Sequence, residues 1–126
     1  MAPRPTSDTP VIVLVVEDEP LLRIAAVDLI ETAGLEAIAA ADATEAMALL
    51  EARDDIRIVF TDIDMPRGID GIKLAAIIRD RWPPIKVIVV SGYMDDPGDL
   101  IPEPAAFFTK PYREELIIET IRSMLA

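Results

Sequence analysis

Two aspartates one residue apart follow an apolar run near the middle of the chain, in the sequence IVFTDIDMP (58–66). The run predicts a buried strand, and its end would bring Asp62 and Asp64 close together with little nearby to neutralise them. Two unit charges about 4 Å apart repel each other by roughly 4 kcal/mol at an effective dielectric constant near 20. Such a pair suits either the binding of a metal cation or nucleophilic attack by a carboxylate.

A single folded domain is expected from the length of 126 residues and the 52% content of hydrophobic side chains. The opening residues MAPRPTSDTP contain three prolines and no apolar stretch. We therefore expect a flexible leader over residues 1–9 and one domain over residues 10–126, with no second domain after it. No apolar run approaches the roughly 20 residues of a membrane span, and we expect a cytoplasmic protein.

Charge and composition exclude several classes of chemistry. A formal net charge of −11 argues against binding to nucleic acid or to anionic lipid, because no basic surface is available. The chain has no cysteine and no histidine. Disulfides, thiolate nucleophiles, zinc sites built on these side chains and a Ser-His-Asp triad are therefore excluded. Any chemistry must depend on carboxylates, hydroxyls and amines.

Short apolar runs alternate with helical patterns along the chain. Strands are predicted at residues 11–16, 35–40, 56–61, 85–90 and 105–109. The first helix should begin at Pro20 and end at Gly34, with Leu22, Ala26, Leu29, Ile30 and Ala33 on its apolar face. The later helices are predicted around residues 44–50, 74–82 and 116–125, the first of them capped by Asp42 or Thr44. This alternation predicts a doubly wound α/β sheet.

The polar residues at the predicted strand ends form a compact set. In a parallel sheet, the strands' carboxyl ends meet at one edge, where ligands bind. That edge would collect four acids, one hydroxyl and one amine, which are Glu17, Asp18, Asp62, Asp64, Ser91 and Lys110. Oxygen ligands without histidine or cysteine favour Mg²⁺, with Mn²⁺ possible. A lysine and a hydroxyl beside such a metal suit a phosphoryl group, for which Asp62 is the natural nucleophile.

These residues resemble the signature of the receiver domains of two-component response regulators. The family has an acidic pair after the first strand, an acceptor aspartate after the third, a Ser or Thr after the fourth and Lys-Pro after the fifth. The matching segments here are VVEDE (15–19), FTDIDMP (60–66), VVSG (89–92) and FFTKPY (107–112). The resemblance covers about residues 10–126. It implies a CheY-like, flavodoxin-like fold with five parallel strands in the order 2-1-3-4-5.

The resemblance also implies roles for the acidic residues. Asp62 would be the phosphoacceptor and a ligand of Mg²⁺. Asp18 would bind the metal directly, Glu17 directly or through water, and Asp64 through its backbone carbonyl.

Further roles are implied for the residues at the fourth and fifth strands. Lys110 would contact the phosphoryl oxygens, and Ser91 would donate a hydrogen bond to the phosphoryl group and shift toward it. Phe107 would be the switch aromatic that turns inward when the hydroxyl moves, the alternative being an ordinary core residue. Phe108 should be core. The bond between Lys110 and Pro111 should be cis, which X-Pro bonds adopt at small cost.

The function implied is that of a phosphoacceptor in a two-component phosphorelay, not a conventional enzyme. A sensor histidine kinase or a histidine phosphotransfer protein would donate the phosphoryl group. Strands 4 and 5 and the last helix would then change their surface and control a partner protein. A stand-alone switch is favoured, a phosphate sink stays open, and the chain could be a monomer or a homodimer.

Two segments depart from the family pattern. MPRGIDG (65–71) has one residue more than the usual spacing, so we expect a remodelled loop. Residues 92–104 carry Pro97, Pro102 and Pro104 where a helix is expected, so the fourth helix should be shortened or absent. The family tunes loss of the phosphoryl group through the residues two positions after the acceptor and two after the hydroxyl, which here would be Asp64 and Tyr93. Tyr93 would obstruct the attacking water and prolong the phosphorylated state.

Two other functions compete with the receiver interpretation. Asp62 and Asp64 also resemble the DxD motif of haloacid-dehalogenase-type phosphatases, in which the second aspartate is a general acid and base. That motif normally follows the first strand, and this alternative leaves the Glu17–Asp18 pair without a role. The other alternative is a pseudo-receiver, which keeps the fold as a binding module and is never phosphorylated.

Overall fold

The computed structural model of the chain describes residues 11–65, 70–92 and 105–126. Helices and strands alternate through these ranges as β1 (Ile12–Val16), α1 (Pro20–Thr32), β2 (Glu36–Ala40), α2 (Ala43–Ala52), β3 (Ile56–Asp62), α3 (Gly71–Arg81), β4 (Lys86–Ser91), β5 (Ala105–Thr109) and α4 (Glu114–Leu125). The strands form one sheet in the order β2-β1-β3-β4-β5, and every neighbouring pair is parallel. The predicted doubly wound sheet and its strand order are confirmed.

The sheet is covered on both faces, which explains why its central strands are almost wholly apolar. All five residues of β1 are buried, as are five of the six in β4. One face packs against α2 and α3 through Leu14, Val16, Ala46, Leu50, Val59, Leu74, Ile78, Val87 and Val89. The other face packs against α1 and α4 through Val13, Val15, Ala26, Ile30, Ile58, Phe60, Ile88, Ile117 and Ile121. The edge strands β2 and β5 are only half-buried.

Local signals in the sequence explain where the helices begin and end. Pro20 is the first residue of α1, and Gly34 follows its end with a φ of +87°, a conformation that glycine adopts without strain. The side chain of Asp42 accepts a hydrogen bond from the backbone N–H of Glu45 and so caps α2. The caps of these two helices therefore agree with the sequence prediction.

One part of the predicted apolar face of α1 is wrong. Leu22 is 47% exposed, and its neighbours Leu21 and Ile24 are more exposed still. The buried residues of α1 are Ala26, Leu29 and Ile30. The core layer on this face of the sheet therefore draws on the second half of the helix, and the large apolar side chains of its first turns remain at the surface.

Several predictions fall on residues that the structure does not describe. These are the leader over residues 1–9, most of the remodelled loop over 65–71, the shortened or absent helix within 92–104, and the effect of Tyr93. Within the described ranges, none of the helices is both long and apolar enough to cross a lipid bilayer.

Candidate functional site

The first acidic residues of the site follow β1. Glu17 is 6% exposed, and its carboxylate accepts a hydrogen bond from the backbone N–H of Glu19 at 3.1 Å. Arg23 of α1 donates from its guanidinium to the backbone carbonyl of Glu17 at 3.0 Å. The Glu17 N–H donates to Ala40 at the end of β2. These bonds fix the turn that presents Glu17 and the less buried Asp18 at the carboxyl ends of the strands.

Asp62 is the last residue of β3 and is only 4% exposed. One of its carboxylate oxygens, Oδ1, accepts a hydrogen bond from the backbone N–H of Asp64 at 3.0 Å. The other, Oδ2, lies 2.6 Å from the ammonium group of Lys110. Both oxygens are therefore oriented by neighbouring groups, and the strand holds the backbone in place.

The structure brings three of the predicted metal ligands together. Carboxylate oxygens of Glu17, Asp18 and Asp62 all lie within 4.8 Å of one another. The donors are oxygens alone, two of the three side chains are buried, and the ammonium group of Lys110 contacts two of the three carboxylates. Mg²⁺ and Mn²⁺ prefer such oxygen donors, so the residues present fit a hard divalent cation.

Lys110 connects the acidic cluster to the neighbouring strands. Its ammonium group contacts Asp62 at 2.6 Å and Glu17 at 3.4 Å, and its backbone N–H donates to the carbonyl of Ser91 at 2.8 Å. Burial alone would lower the pKa of this lysine, but the hydrogen bond and the charge of Asp62 outweigh burial and raise it. Lys110 therefore stays a cation in the site. The peptide bond to Pro111 is cis, as predicted.

Burial makes the negative charge of Glu17 costly. It raises the pKa of the Glu17 carboxyl from 4.5 to about 7, and the nearby charge of Asp62 adds to the rise, while the N–H of Glu19 and the charge of Lys110 oppose it. A bound cation would reverse this preference by favouring the ionised form.

Ser91 ends β4 and is fully buried. Its hydroxyl donates to Oδ2 of Asp64 at 2.9 Å, and the backbone N–H of Gly92 donates to the same oxygen at 3.2 Å. Phe107 lies on β5, paired in register with Val89, and is half-buried against the core layer that α2 and α3 cover. Phe108 is half-buried against the opposite layer.

Comparison with known proteins identifies the family. The response regulator receiver domain family matches residues 13–122 of the chain, which is most of its length. The chain belongs to this family. Its members are receivers of two-component signalling, and their general role is to be phosphorylated on an aspartate by sensor kinases or phosphotransfer proteins. They are not classical enzymes.

This receiver domain is similar to parts of larger proteins. It is 34% identical over 117 residues to the sensor kinase CckA of Brucella abortus and 32% identical over 112 residues to the response regulator protein FleR of Pseudomonas aeruginosa. The matches cover 90% and 86% of this chain but only 12% and 23% of those relatives. A crystal structure of a response regulator receiver protein from Pseudomonas putida matches with a TM-score of 0.79 and 28% identity, covering 90% of this chain and 97% of that one.

Two features of the receiver site were missed in the sequence. The first is the contact of the Asp64 side chain with Ser91 and Gly92, because the receiver interpretation assigned this residue a metal-binding carbonyl and an effect on loss of the phosphoryl group but no bond to Ser91. The second is Gly71, where a Cβ atom would collide with the backbone carbonyl of Asp62 and lie 2.8 Å from the Cα atom of Ile63. Both depend on how β3, β4 and α3 approach one another, and the spacing of residues along the chain does not contain that distance.

An apolar cavity of about 380 Å³ lies beside the acids of the receiver domain, between α1 and the turn that follows β5. Its wall includes Ala26, Phe60 and Tyr112, and the rings of the last two meet edge to face with centroids 5.9 Å apart. The half-exposed Leu22 stands at the boundary between this cavity and the acidic cluster. An apolar surface therefore continues directly into the charged site.

Proposed function

We propose that this receiver domain accepts a phosphoryl group on Asp62 from a phosphohistidine of another protein. The observation that carries the proposal is the contact of 2.6 Å between Asp62 and Lys110, within a cluster where Asp62, Glu17 and Asp18 lie within 4.8 Å of one another. A buried carboxylate held between a cation and a divalent metal site is equipped to attack phosphorus. The domain that carries this function spans residues 10–126.

In the proposed reaction, a carboxylate oxygen of Asp62 attacks the phosphorus atom of the phosphohistidine. The new P–O bond forms an acyl phosphate while the P–N bond breaks, and its electron pair returns to the imidazole, which takes a proton from solvent. Lys110 neutralises the phosphoryl oxygens as charge builds on them. The backbone N–H of Asp64 keeps the second carboxylate oxygen of Asp62 oriented.

Glu17, Asp18, Asp62 and the backbone carbonyl of Asp64 would hold Mg²⁺, or Mn²⁺, in this site. The metal would supply positive charge to the transferring phosphoryl group. Glu17 must lose its proton to serve as a ligand, and Asp18, the least buried of the three, lies on the solvent side of the site.

Phosphorylation would be signalled through β4, β5 and α4. Ser91 would donate to the phosphoryl group, and Phe107, half-buried on the neighbouring strand, would turn further inward. The surface of these elements would then control a partner protein. Ser91 and Lys110 are already joined by a backbone hydrogen bond, so movement at the end of β4 would be transmitted to the end of β5.

The phosphoryl donor would be a sensor histidine kinase or a histidine phosphotransfer protein. Leu22 of α1 lies next to the acids, and together with the exposed Leu21 and Ile24 of the same helix it gives a donor an apolar surface to bind while it presents its histidine. The relative CckA is itself a sensor kinase. The net charge of −11 argues against nucleic acid as a partner, and donors of this kind imply the cytoplasm as the compartment.

The proposal is tested by incubating the chain with acetyl phosphate and Mg²⁺ and measuring its intact mass. We expect one added phosphoryl group, which disappears in EDTA and in Asp62→Asn. Asp80→Asn is a matched control, because Asp80 is an exposed aspartate on α3. Steady release of inorganic phosphate from p-nitrophenyl phosphate would favour a phosphatase instead. No added mass under any condition would favour a pseudo-receiver and contradict the proposal.

A further inference from the structure

The side chain of Asp64 joins two parts of the site. Its own backbone N–H donates to Asp62 at 3.0 Å, while its carboxylate Oδ2 accepts from the hydroxyl of Ser91 at 2.9 Å and from the N–H of Gly92 at 3.2 Å. Asp64 is half-buried, and the three bonds span the ends of β3 and β4. In the unmodified chain, therefore, the switch hydroxyl is already engaged by a carboxylate.

A serine hydroxyl has a single proton to donate. While Ser91 donates it to Asp64, it cannot donate it to a phosphoryl group on Asp62. Hydrogen bonds to an ionised acceptor are roughly twice as strong as neutral ones, so this contact resists breaking. We propose that Asp64 is a positioning residue whose carboxylate holds Ser91 in the unmodified state and competes with the phosphoryl group for its proton.

The inference rests on the proposed phosphorylation of Asp62 and adds an interaction, the Ser91–Asp64 hydrogen bond, that opposes the phosphorylated state. Every switched molecule must exchange the Ser91–Asp64 bond for a bond from Ser91 to the phosphoryl group. The Asp64 carboxylate should therefore weaken the phosphorylated state relative to the unmodified one. It also repels an incoming anion through its charge alone, and an experiment has to separate these two effects.

The contact itself is measured without any phosphoryl group or metal. Gly92 is exposed, so the protection of its N–H from hydrogen exchange should depend on Asp64. In EDTA, we expect Asp64→Ala to speed exchange of this N–H by about tenfold, the effect of losing one hydrogen bond to a charged group. Asp64→Asn, which keeps an acceptor oxygen, should lie between. Asp80→Asn is the control and should not change the exchange rate. If exchange of the Gly92 N–H is also unchanged in Asp64→Ala, the hydrogen bond to Asp64 does not form.

The competition is measured with beryllium fluoride and Mg²⁺, which form a tetrahedral mimic of a phosphoryl group on a carboxylate. We expect Asp64→Ala to bind the mimic about tenfold more tightly than the unaltered chain. In a Ser91→Ala background, only the effect of charge remains, and the same substitution should change affinity by about threefold or less. If Asp64→Ala changes the affinity equally in the unaltered chain and in the Ser91→Ala background, Asp64 does not compete for the proton of Ser91.

These outcomes separate the two proposals. If the unaltered chain fails to bind the mimic, the proposed function of Asp62 is contradicted, while hydrogen exchange at Gly92 still decides whether Asp64 holds the strand end. If the mimic binds and Asp64→Ala binds it no more tightly than the unaltered chain does, the function stands and the competing role of Asp64 is wrong.

Discussion

Asp62 is surrounded by groups that act on it from different directions. Lys110 supplies a positive charge at 2.6 Å, Glu17 and Asp18 each bring a carboxylate oxygen within 4.8 Å, and the N–H of Asp64 orients the remaining carboxylate oxygen. The arrangement has little spare room, because the backbone of Asp62 lies directly against Gly71. Single substitutions here should therefore separate packing effects from charge effects.

Gly71→Ala tests the packing behind Asp62. The added Cβ would collide with the backbone of Asp62 and Ile63, so we expect a loss of about 1–3 kcal/mol in the free energy of unfolding and slower phosphorylation by acetyl phosphate. The matched control is Gly34→Ala, whose Cβ meets nothing within 4 Å but whose φ of +87° strains an alanine. The control should lose about 1–2 kcal/mol of stability and keep its phosphorylation rate. Equal rates in Gly71→Ala and the unaltered chain would contradict this account.

The raised pKa of Glu17 predicts a dependence of stability on pH in EDTA. The unfolded chain loses this proton near pH 4.5, whereas the folded chain keeps it until about pH 7. Between these values the folded state binds more protons, so rising pH destabilises it, by about 3 kcal/mol in total. The unfolding free energy of Glu17→Gln minus that of the unaltered chain should therefore increase from pH 4 to pH 8. A difference that does not vary with pH would show that the charge of Glu17 is not penalised by burial.

Among the helices and strands, the site depends on where strands end. β3 ends at Asp62, β4 ends at Ser91, and β1 ends one residue before Glu17. The sequence predicted all five strands to within one residue, because continuous apolar runs stop abruptly at polar residues. It also predicted that the acids would converge, since parallel strands expose their carboxyl ends at one edge.

Other details depend on distances between elements and could not be predicted from the sequence. Leu22 fits the apolar period of α1, yet the residues of α1 buried in the core layer begin at Ala26, and Leu22 is left half exposed. The carboxylate of Asp64 meets Ser91 only because β3 and β4 are neighbours with a fixed register. Periodicity specifies which face of a helix is apolar, but not how far along the sheet that face remains covered.

Asp42→Ala tests whether the cap of α2 acts locally. The side chain of Asp42 accepts from the N–H of Glu45, and the carboxylate of Glu45 accepts in turn from the N–H of Ala41. Removing the cap should lower the free energy of unfolding by about 1 kcal/mol in urea denaturation. Phosphorylation by acetyl phosphate should stay at the rate of the unaltered chain. A matching loss of phosphorylation would contradict this expectation and mean that α2 is coupled to the site, although none of the site residues lies on this helix.

At the scale of the whole molecule, two apolar layers support a sheet whose one edge carries concentrated negative charge. The formal net charge of −11 adds long-range repulsion to the local repulsion among Glu17, Asp18 and Asp62. A divalent cation at this edge would relieve both, so binding and folding should be linked.

Thermal unfolding with and without Mg²⁺ measures this linkage. At a Mg²⁺ concentration about 100 times its dissociation constant, binding stabilises the folded state by about 2.7 kcal/mol, which corresponds to a rise in Tm of about 5–10 °C. Asp18→Asn should lose most of this rise. Asp54→Asn is the control, because Asp54 is exposed just before β3, at the opposite edge of the sheet. An equal rise in Asp18→Asn would place the metal elsewhere.

The proposal that Asp62 is the phosphoacceptor is tested most directly by locating the modified residue. Borohydride reduces an aspartyl phosphate to homoserine, which peptide mass spectrometry identifies by position. After treatment with acetyl phosphate and Mg²⁺, this account predicts homoserine at position 62 alone. Homoserine at position 18 or 64, or a phosphoryl group that survives borohydride on a hydroxyl side chain, would contradict it.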